Sequence, residues 1–284
     1  MSTNSSKQGR DEPTTRSALL IMRAKALLVP AIIFVGLLLI WQAIVSFFAL
    51  PPFILPGPVR VFSSLFSNAA YLGGHAAQTL AEIMLGLVLG TALGVATGLV
   101  MVWSRWAERL VFPAVLATQA LPVFAIAPLL VLWFGYGMAS KVVMATLIIY
   151  FPITSAFYDG LRRTEPALLD LGQIYGASRW QSLLQFRLPS ALPGLSSGLR
   201  VGASLAPIGA VVGEWVGSSS GLGFVMLHAN ARMQTDLMFA ALIILAVLVI
   251  VLRSFTETLT RQLVFWMPES NQHSSVFGTD SPTP

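Results

Sequence analysis

Long apolar runs separated by short polar, glycine-rich or proline-rich breaks set the pattern of this chain. The runs fall at about 26–50, 77–103, 110–134, 141–160 and 192–216, and from 237 onward. A stretch of about 20 apolar residues is long enough to cross a bilayer as a helix, so the pattern predicts six transmembrane helices between 26 and 260. The first run ends in Pro51, Pro52, Pro56 and Pro58 and has the length of a span rather than of a cleaved leader. A short amphipathic helix is predicted from Val59 to Phe66. In the second run Gly86, Gly90, Gly94 and Gly98 recur at every fourth position, a small-residue ridge that lets two helices approach closely. The third holds Pro113, Pro122 and Pro128, which predict kinks or breaks. Arg105, Glu108 and Arg109 read as a short loop before it, and residues 135–140 as a turn after it. The fifth run, with Arg200, Pro207 and Glu214, is the least lipid-like and reads as buried in protein or facing a cavity. Residues 217–236 are too polar and glycine-rich to span. The sixth run ends its uninterrupted apolar stretch at Leu252, so the helix must continue past Arg253, whose side chain can snorkel. Residues 1–25 read as a flexible, disordered arm and 267–284 as a disordered tail.

The stretch between the fourth and fifth runs, 161–190, is too polar for lipid yet too ordered for a plain loop. Thr164 is placed to cap a short helix with Pro166 in its first turn, where a missing N–H costs nothing. Gly176 sits where a left-handed C-terminal turn would fall. Ser178 and Gln181 have the spacing of a capping box for a second helix, 179–187, which Pro189 is expected to end. Trp180, Leu183 and Leu184 share a face of that helix. A helix, a tight corner and a second helix make a stiff knob at a membrane surface.

This stretch resembles the EAA loop of permease subunits of bacterial binding-protein-dependent ABC importers. That pattern runs E-A-A, three residues, G, nine residues, an apolar residue, one more, and L-P. Here Asp170-Leu171-Gly172, Gly176, Phe186 and Leu188-Pro189 occupy those places. The spacing is kept, whereas the opening triplet has Asp for Glu and no alanine. Leu55-Pro56-Gly57-Pro58, residues 127–135 and Gly213-Glu214 are similar to the nitrate, sulfonate and taurine permease branch. Residues 213–236 look more like permeases for a thiamine pyrimidine precursor, hydroxymethylpyrimidine.

Composition agrees with a lipid solvent. The chain is 55% hydrophobic and 10% charged, against about 25% charged in ordinary globular chains, and its mean hydropathy is +0.76. The absence of cysteine excludes disulfides, thiolate metal sites and cysteine nucleophiles. A net charge of +5 would suit nucleic acid, but its distribution argues otherwise. With six spans and both termini on one side, every Lys and Arg except Arg60, Lys141 and Arg232 falls on that side, which predicts N-in, C-in topology. The 161–190 loop then faces the cytoplasm. No Gly-x-x-x-x-Gly-Lys-Ser/Thr occurs, so no P-loop ATP site is expected. His75, His228 and His273 lack metal spacing, and no catalytic constellation or cofactor motif is present. Glu82, Asp159, Arg200 and Glu214 lie within predicted spans. For Glu214 two readings stand: a polar group near the outer mouth of a translocation pathway, or a buried partner that fixes helix packing.

The resemblance implies an all-α polytopic membrane protein of the type I ABC importer permease fold, in the bacterial inner membrane. It implies a homodimer of such subunits, separate ABC ATPase subunits that hydrolyse the ATP, and an external periplasmic solute-binding protein. In that scheme Asp170, Gly172, Gly176, Ala177, Ser178, Arg179, Trp180 and Pro189 belong to a coupling helix docked on the ATPase, and Glu214 and Arg200 are candidates for the substrate pathway. The substrate would be a small solute such as the pyrimidine precursor, or an alkanesulfonate, taurine or nitrate. The rival class is a secondary transporter, which would need internal repeats and midplane ion-coupling charges; neither is evident.

Overall fold

The computed structural model describes residues 12–120 and 122–266. Every regular element among them is helical. In order these are α1 (Glu12–Phe47), α2 (Pro58–Ser67), α3 (Ala69–Trp103), α4 (Arg105–Ala120), α5 (Val123–Phe134), α6 (Met138–Arg162), α7 (Pro166–Ile174), α8 (Arg179–Ser182), a π-helical turn (Leu183–Arg187), α9 (Leu188–Gly217), α10 (Leu222–Ala231) and α11 (Thr235–Leu263). Among the described residues four helices are long and apolar enough to cross a bilayer: α3, α6, the continuous Arg179–Gly217 helix, and α11. The α4–α5 pair makes a fifth if its two halves, bent by 102°, form one broken span. The break falls at Pro122, as the proline content of the third run predicts. The remaining expected span lies in α1, whose described apolar part, Ile32–Phe47, is shorter.

The centre of the bundle is α6, held between α3 and α9. Each glycine of the α3 ridge sits against a residue of α6 that also recurs every fourth position. A Cβ built on Gly86 would meet Ala145 Cβ at 2.6 Å, and one on Gly90 would meet Ile149 Cγ1 at 2.6 Å. At Gly94 the neighbour is Ile153 Cγ2 at 3.0 Å, and at Gly98 it is Phe157 Cδ1 at 2.8 Å. From the opposite side, Gly198, Gly209 and Gly213 of α9 approach the α6 backbone, with built Cβ distances of 3.0 Å to Ile153 Cα, 2.6 Å to Ala145 Cα and 3.1 Å to Lys141 Cα. Ile149 and Ile153 are fully buried and join Ile83, Leu199, Ala203 and Leu252 in one cluster. Lipid offers no hydrophobic drive for helices to associate, so close van der Waals contact across small residues carries the packing.

Four expectations are corrected. Residues 12–25, expected as a disordered arm, are helical backbone of α1; Ala, Leu, Arg, Lys and Met there are all strong helix formers. Residues 1–11 and the tail 267–284 lie outside the described residues. Arg105, Glu108 and Arg109 are not a loop but open α4, because Ser104 alone turns the chain, its carbonyl accepting the Glu108 N–H at 2.9 Å. Thr164 does not cap α7; it is buried and donates to Leu161 O at 3.2 Å, and Glu165 takes the N-cap position. Pro189 does not end a helix. The π turn at Leu183–Arg187 widens the register just before it, with Leu188 N–H bonding back to Leu183 O. A proline placed after such a turn is accommodated without a break, and the helix runs on unbroken to Gly217. The 217–236 segment, left without a predicted fold, forms a turn and the short helix α10, packed on α9, α11 and α3.

Candidate functional site

The elbow between α6 and α9 is built almost wholly from local hydrogen bonds. At the end of α7, Ala177 N–H reaches back to Gly172 O at 2.8 Å and Gly176 N–H to Gln173 O at 2.9 Å. This pair of bonds is the Schellman closure, which needs a left-handed residue at its corner, and Gly176 has φ +74°. Two residues on, the Ser178 hydroxyl accepts from Gln181 N–H at 3.2 Å while Gln181 Oε1 accepts from Ser178 N–H at 2.8 Å. The predicted left-handed corner and capping box are thus both present. Gly172 is buried beneath the Phe186 ring, and a Cβ built on it would lie 2.8 Å from Phe186 Cε2. The third and apolar positions of the motif are therefore in contact. This explains why a small residue and an aromatic residue are separated by the whole elbow in sequence.

The other elbow residues are placed around this hinge. Asp170, Ser178, Arg179 and Trp180 are exposed, Ala177 and Pro189 half-buried. Trp180 meets Trp103 at the end of α3 edge-to-face, centroids 5.9 Å apart. Leu183 turns inward onto Phe157, Leu161 and Ala191, while Leu184 stays exposed, so the face expected for Trp180, Leu183 and Leu184 is split by the π turn.

At the other end of the bundle, Glu214 is buried among helix ends. Its Oε1 accepts from Thr79 Oγ1 at 2.6 Å and its Oε2 from Gly223 N–H at 2.5 Å. The Thr79 hydroxyl also accepts from Leu222 N–H at 2.8 Å, and His75 Nδ1 accepts from Gly221 N–H at 2.9 Å. Three successive N–H groups at the start of α10 are thereby satisfied by side chains of α3 and α9, which act as caps supplied from other helices. Gly221 (φ +107°) and Gly223 leave room for the carboxylate; a Cβ on Gly223 would lie 2.7 Å from Glu214 Oε2. Glu82, also buried, lies beside Glu214 and accepts from Gln78 Nε2 at 3.0 Å. Lys141, fully buried, donates to Tyr136 O at 2.5 Å, to Gly137 O at 2.9 Å and to Gly217 O. It thus ties the start of α6 to the end of α9.

The two candidate pathway residues are not brought together. Arg200 is exposed on α9 and lines a cavity of about 340 Å³ with Ser204, Leu205, Arg253 and Glu257. Sequence reasoning missed the burial of Lys141, counted only as a charge outside the cytoplasmic side, and did not connect Glu82, Thr79 or His75 with Glu214. The available signal was a lysine opening the apolar run at 141–160. A charge in that position needs partners within the protein.

Three comparisons bear on the fold and the site. The model of the family described as "Binding-protein-dependent transport system inner membrane component" matches residues 83–265. The chain belongs to this family. A probable ABC transporter permease protein of Haemophilus influenzae is 55% identical over 77% of this chain and 89% of its own length. The riboflavin transport system permease protein of Chloroflexus aurantiacus is 41% identical, covering 81% of this chain and 87% of that one. The formylaminopyrimidine transport permease protein of Halalkalibacterium halodurans is 36% identical, covering 86% and 98%. Among solved structures, an inward-facing form of the MetNI methionine ABC transporter superposes with a TM-score of 0.60 at 20% identity, over 68% of this chain and 95% of that one. The permease therefore has the type I importer fold and is a multi-pass inner-membrane protein. It is a channel component rather than an enzyme, with ATP hydrolysis in a separate subunit. The matched segment contains the whole elbow and Glu214, so both belong to the permease core.

Proposed function

We propose that the permease forms the channel of an ATP-driven importer as one half of a homodimer, with both termini and the elbow in the cytoplasm. A separate ATPase docks on the elbow, and an external binding protein delivers a small solute to the opposite face. The observation that carries this reading is the stiffness of the elbow. The Schellman closure and capping box fix its corner, and its second half is one continuous helix with α9, so a push at Trp180 acts directly on a span. A rigid lever of this kind suits a bistable, rigid-body switch between inward and outward access. Within it Gly176, Ala177 and Ser178 keep the tip slim, Arg179 and Trp180 anchor the contact as Arg and aromatic residues often do, and Asp170 supplies charge on the first helix. Gly172 lets Phe186 close over the first helix, and Pro189 lies within the continuous helix that carries the push into α9. In this reading Glu214 holds the outer helix ends together, and Arg200 faces the route.

The proposed substrate is the pyrimidine precursor of thiamine. It is supported by the likeness of residues 213–236 and by the transport named for the Halalkalibacterium relative. The riboflavin relative favours a second heteroaromatic solute, and the sulfonate and taurine relatives an anion. Reconstitution with the cognate ATPase and binding protein, followed by uptake of labelled aminopyrimidine, riboflavin or taurine, separates them. ATP-dependent uptake of the pyrimidine is expected. Uptake driven by an ion gradient without ATPase would overturn the importer reading in favour of a secondary transporter.

Topology is tested independently. The chain has no cysteine, and Tyr175 is 81% exposed at the elbow tip. Tyr175→Cys should escape an impermeant maleimide in intact spheroplasts and label fully in inverted vesicles; labelling from outside refutes a cytoplasmic elbow.

A further inference from the structure

Between the elbow and the α3–α4 corner lies a cavity of about 720 Å³ lined by both parts. Arg105 comes from the start of α4, Arg179 from α8 and Arg187 from the π turn, with Ser104, Gln173 and Ser182 among them. Among the described residues none of these arginines is in an ion pair; Glu108, the nearest acid in sequence, is committed to Arg162 at 3.1 Å. Three cations lining one concavity without a counter-ion make a site for an anion, and the planar forks of arginine suit phosphate in particular. The remaining walls are apolar: Val102, Trp103, Leu169 and Leu183. On the flank of the same corner, Trp103, Trp106 and Leu110 are widely exposed, a grouping suited to a bilayer interface, where aromatic residues gather. The Trp103–Trp180 contact, at 5.9 Å, joins the two sides, and the π turn that carries Arg187 is an irregularity of the kind that often marks a functional position.

We propose that this cavity binds the phosphate of an anionic phospholipid headgroup, with the acyl chains running along the exposed flank of α3 and α4. A ligand with an anionic end and an apolar end uses both kinds of wall, whereas free phosphate would use only the arginines. The lipid then bridges the elbow to the end of α3 and stiffens the lever at its root. The inference needs the elbow to lie at a bilayer surface but requires neither a particular membrane face nor a docked ATPase. Its failure is therefore distinct from failure of the coupling mechanism.

The test uses the purified full-length permease, without ATPase, in phosphatidylcholine nanodiscs doped with phosphatidylglycerol. Retained lipid is counted by native mass spectrometry. Phosphatidylglycerol should be retained in preference to phosphatidylcholine, and Arg105→Gln and Arg187→Gln should each weaken retention by about fivefold, the size of one arginine's attraction to an anionic lipid surface. Circular dichroism and gel filtration, unchanged in both variants, would confirm that the fold persists. Arg105→Lys should restore part of the retention, which a merely unfolded variant would not do. Equal retention of phosphatidylcholine, retention unaffected by either substitution, or displacement of the lipid by millimolar inorganic phosphate would overturn the proposal.

Discussion

Thr79 donates its hydroxyl proton to Glu214 Oε1 at 2.6 Å and, with the same oxygen, accepts the Leu222 N–H at 2.8 Å. One hydroxyl on α3 thus joins α9 to the start of α10. Thr79→Val keeps the shape and removes both bonds, leaving a buried N–H and part of a buried carboxyl group without partners. A loss of about 1–3 kcal/mol is expected, read as a lower midpoint of thermal unfolding in nanodiscs and faster amide exchange at 221–224. Unchanged exchange there would show that Thr79 does not cap α10.

Glu214→Gln tests the same junction from the other side. The carboxylate accepts from Thr79 Oγ1 and Gly223 N–H and lies against Glu82, so exchanging one acceptor oxygen for an NH₂ donor forces the Thr79 hydroxyl or Glu82 to find new hydrogen-bond geometry. The expected result is reduced yield of folded protein, with transport per folded dimer largely kept. Normal yield with lost transport would instead put Glu214 in the pathway.

Gly176 tests the elbow by conformation alone. A Cβ added there meets nothing within 4 Å, yet φ is +74°. Gly176→Val therefore carries a backbone penalty of about 1–2 kcal/mol without a clash. The variant should insert and fold while substrate-stimulated ATP hydrolysis by the assembled importer becomes uncoupled from transport. Gly176→Asn, which tolerates the left-handed region better, should retain most coupling. Equal loss in both would point away from backbone geometry.

The ridge between α3 and α6 predicts a rescue. At Gly90 an added side chain runs into Ile149 Cγ1 at 2.6 Å, so Gly90→Val should destabilise the bundle by about 1–3 kcal/mol. Ile149→Ala opens space on the facing helix. In a double-mutant cycle the pair should be less unstable than the sum of the single substitutions; strict additivity would show that the two positions do not touch.

Local chemistry was readable along the chain, and non-local chemistry was not. The corner at Gly176, the Ser178–Gln181 box, the break at Pro122 and the four-residue glycine period each rest on residues within one or two turns of one another. Their outcome follows from backbone sterics and hydrogen-bond reach. Pro189 was misjudged because a proline's effect depends on the register of the turn before it, and the π turn at Leu183–Arg187 has no signature in composition.

The amino-acid sequence by itself determined that the chain is helical, lipid-embedded and bent at 165–190, since apolar length, glycine spacing and capping residues act locally. Only the tertiary structure decided that Lys141 is buried, that Thr79, His75 and Glu214 cap α10 from other helices, and that Phe186 closes over Gly172. Burial depth and long-range partners depend on which helices become neighbours, and in lipid that choice is made by shape complementarity across whole faces rather than by any residue alone.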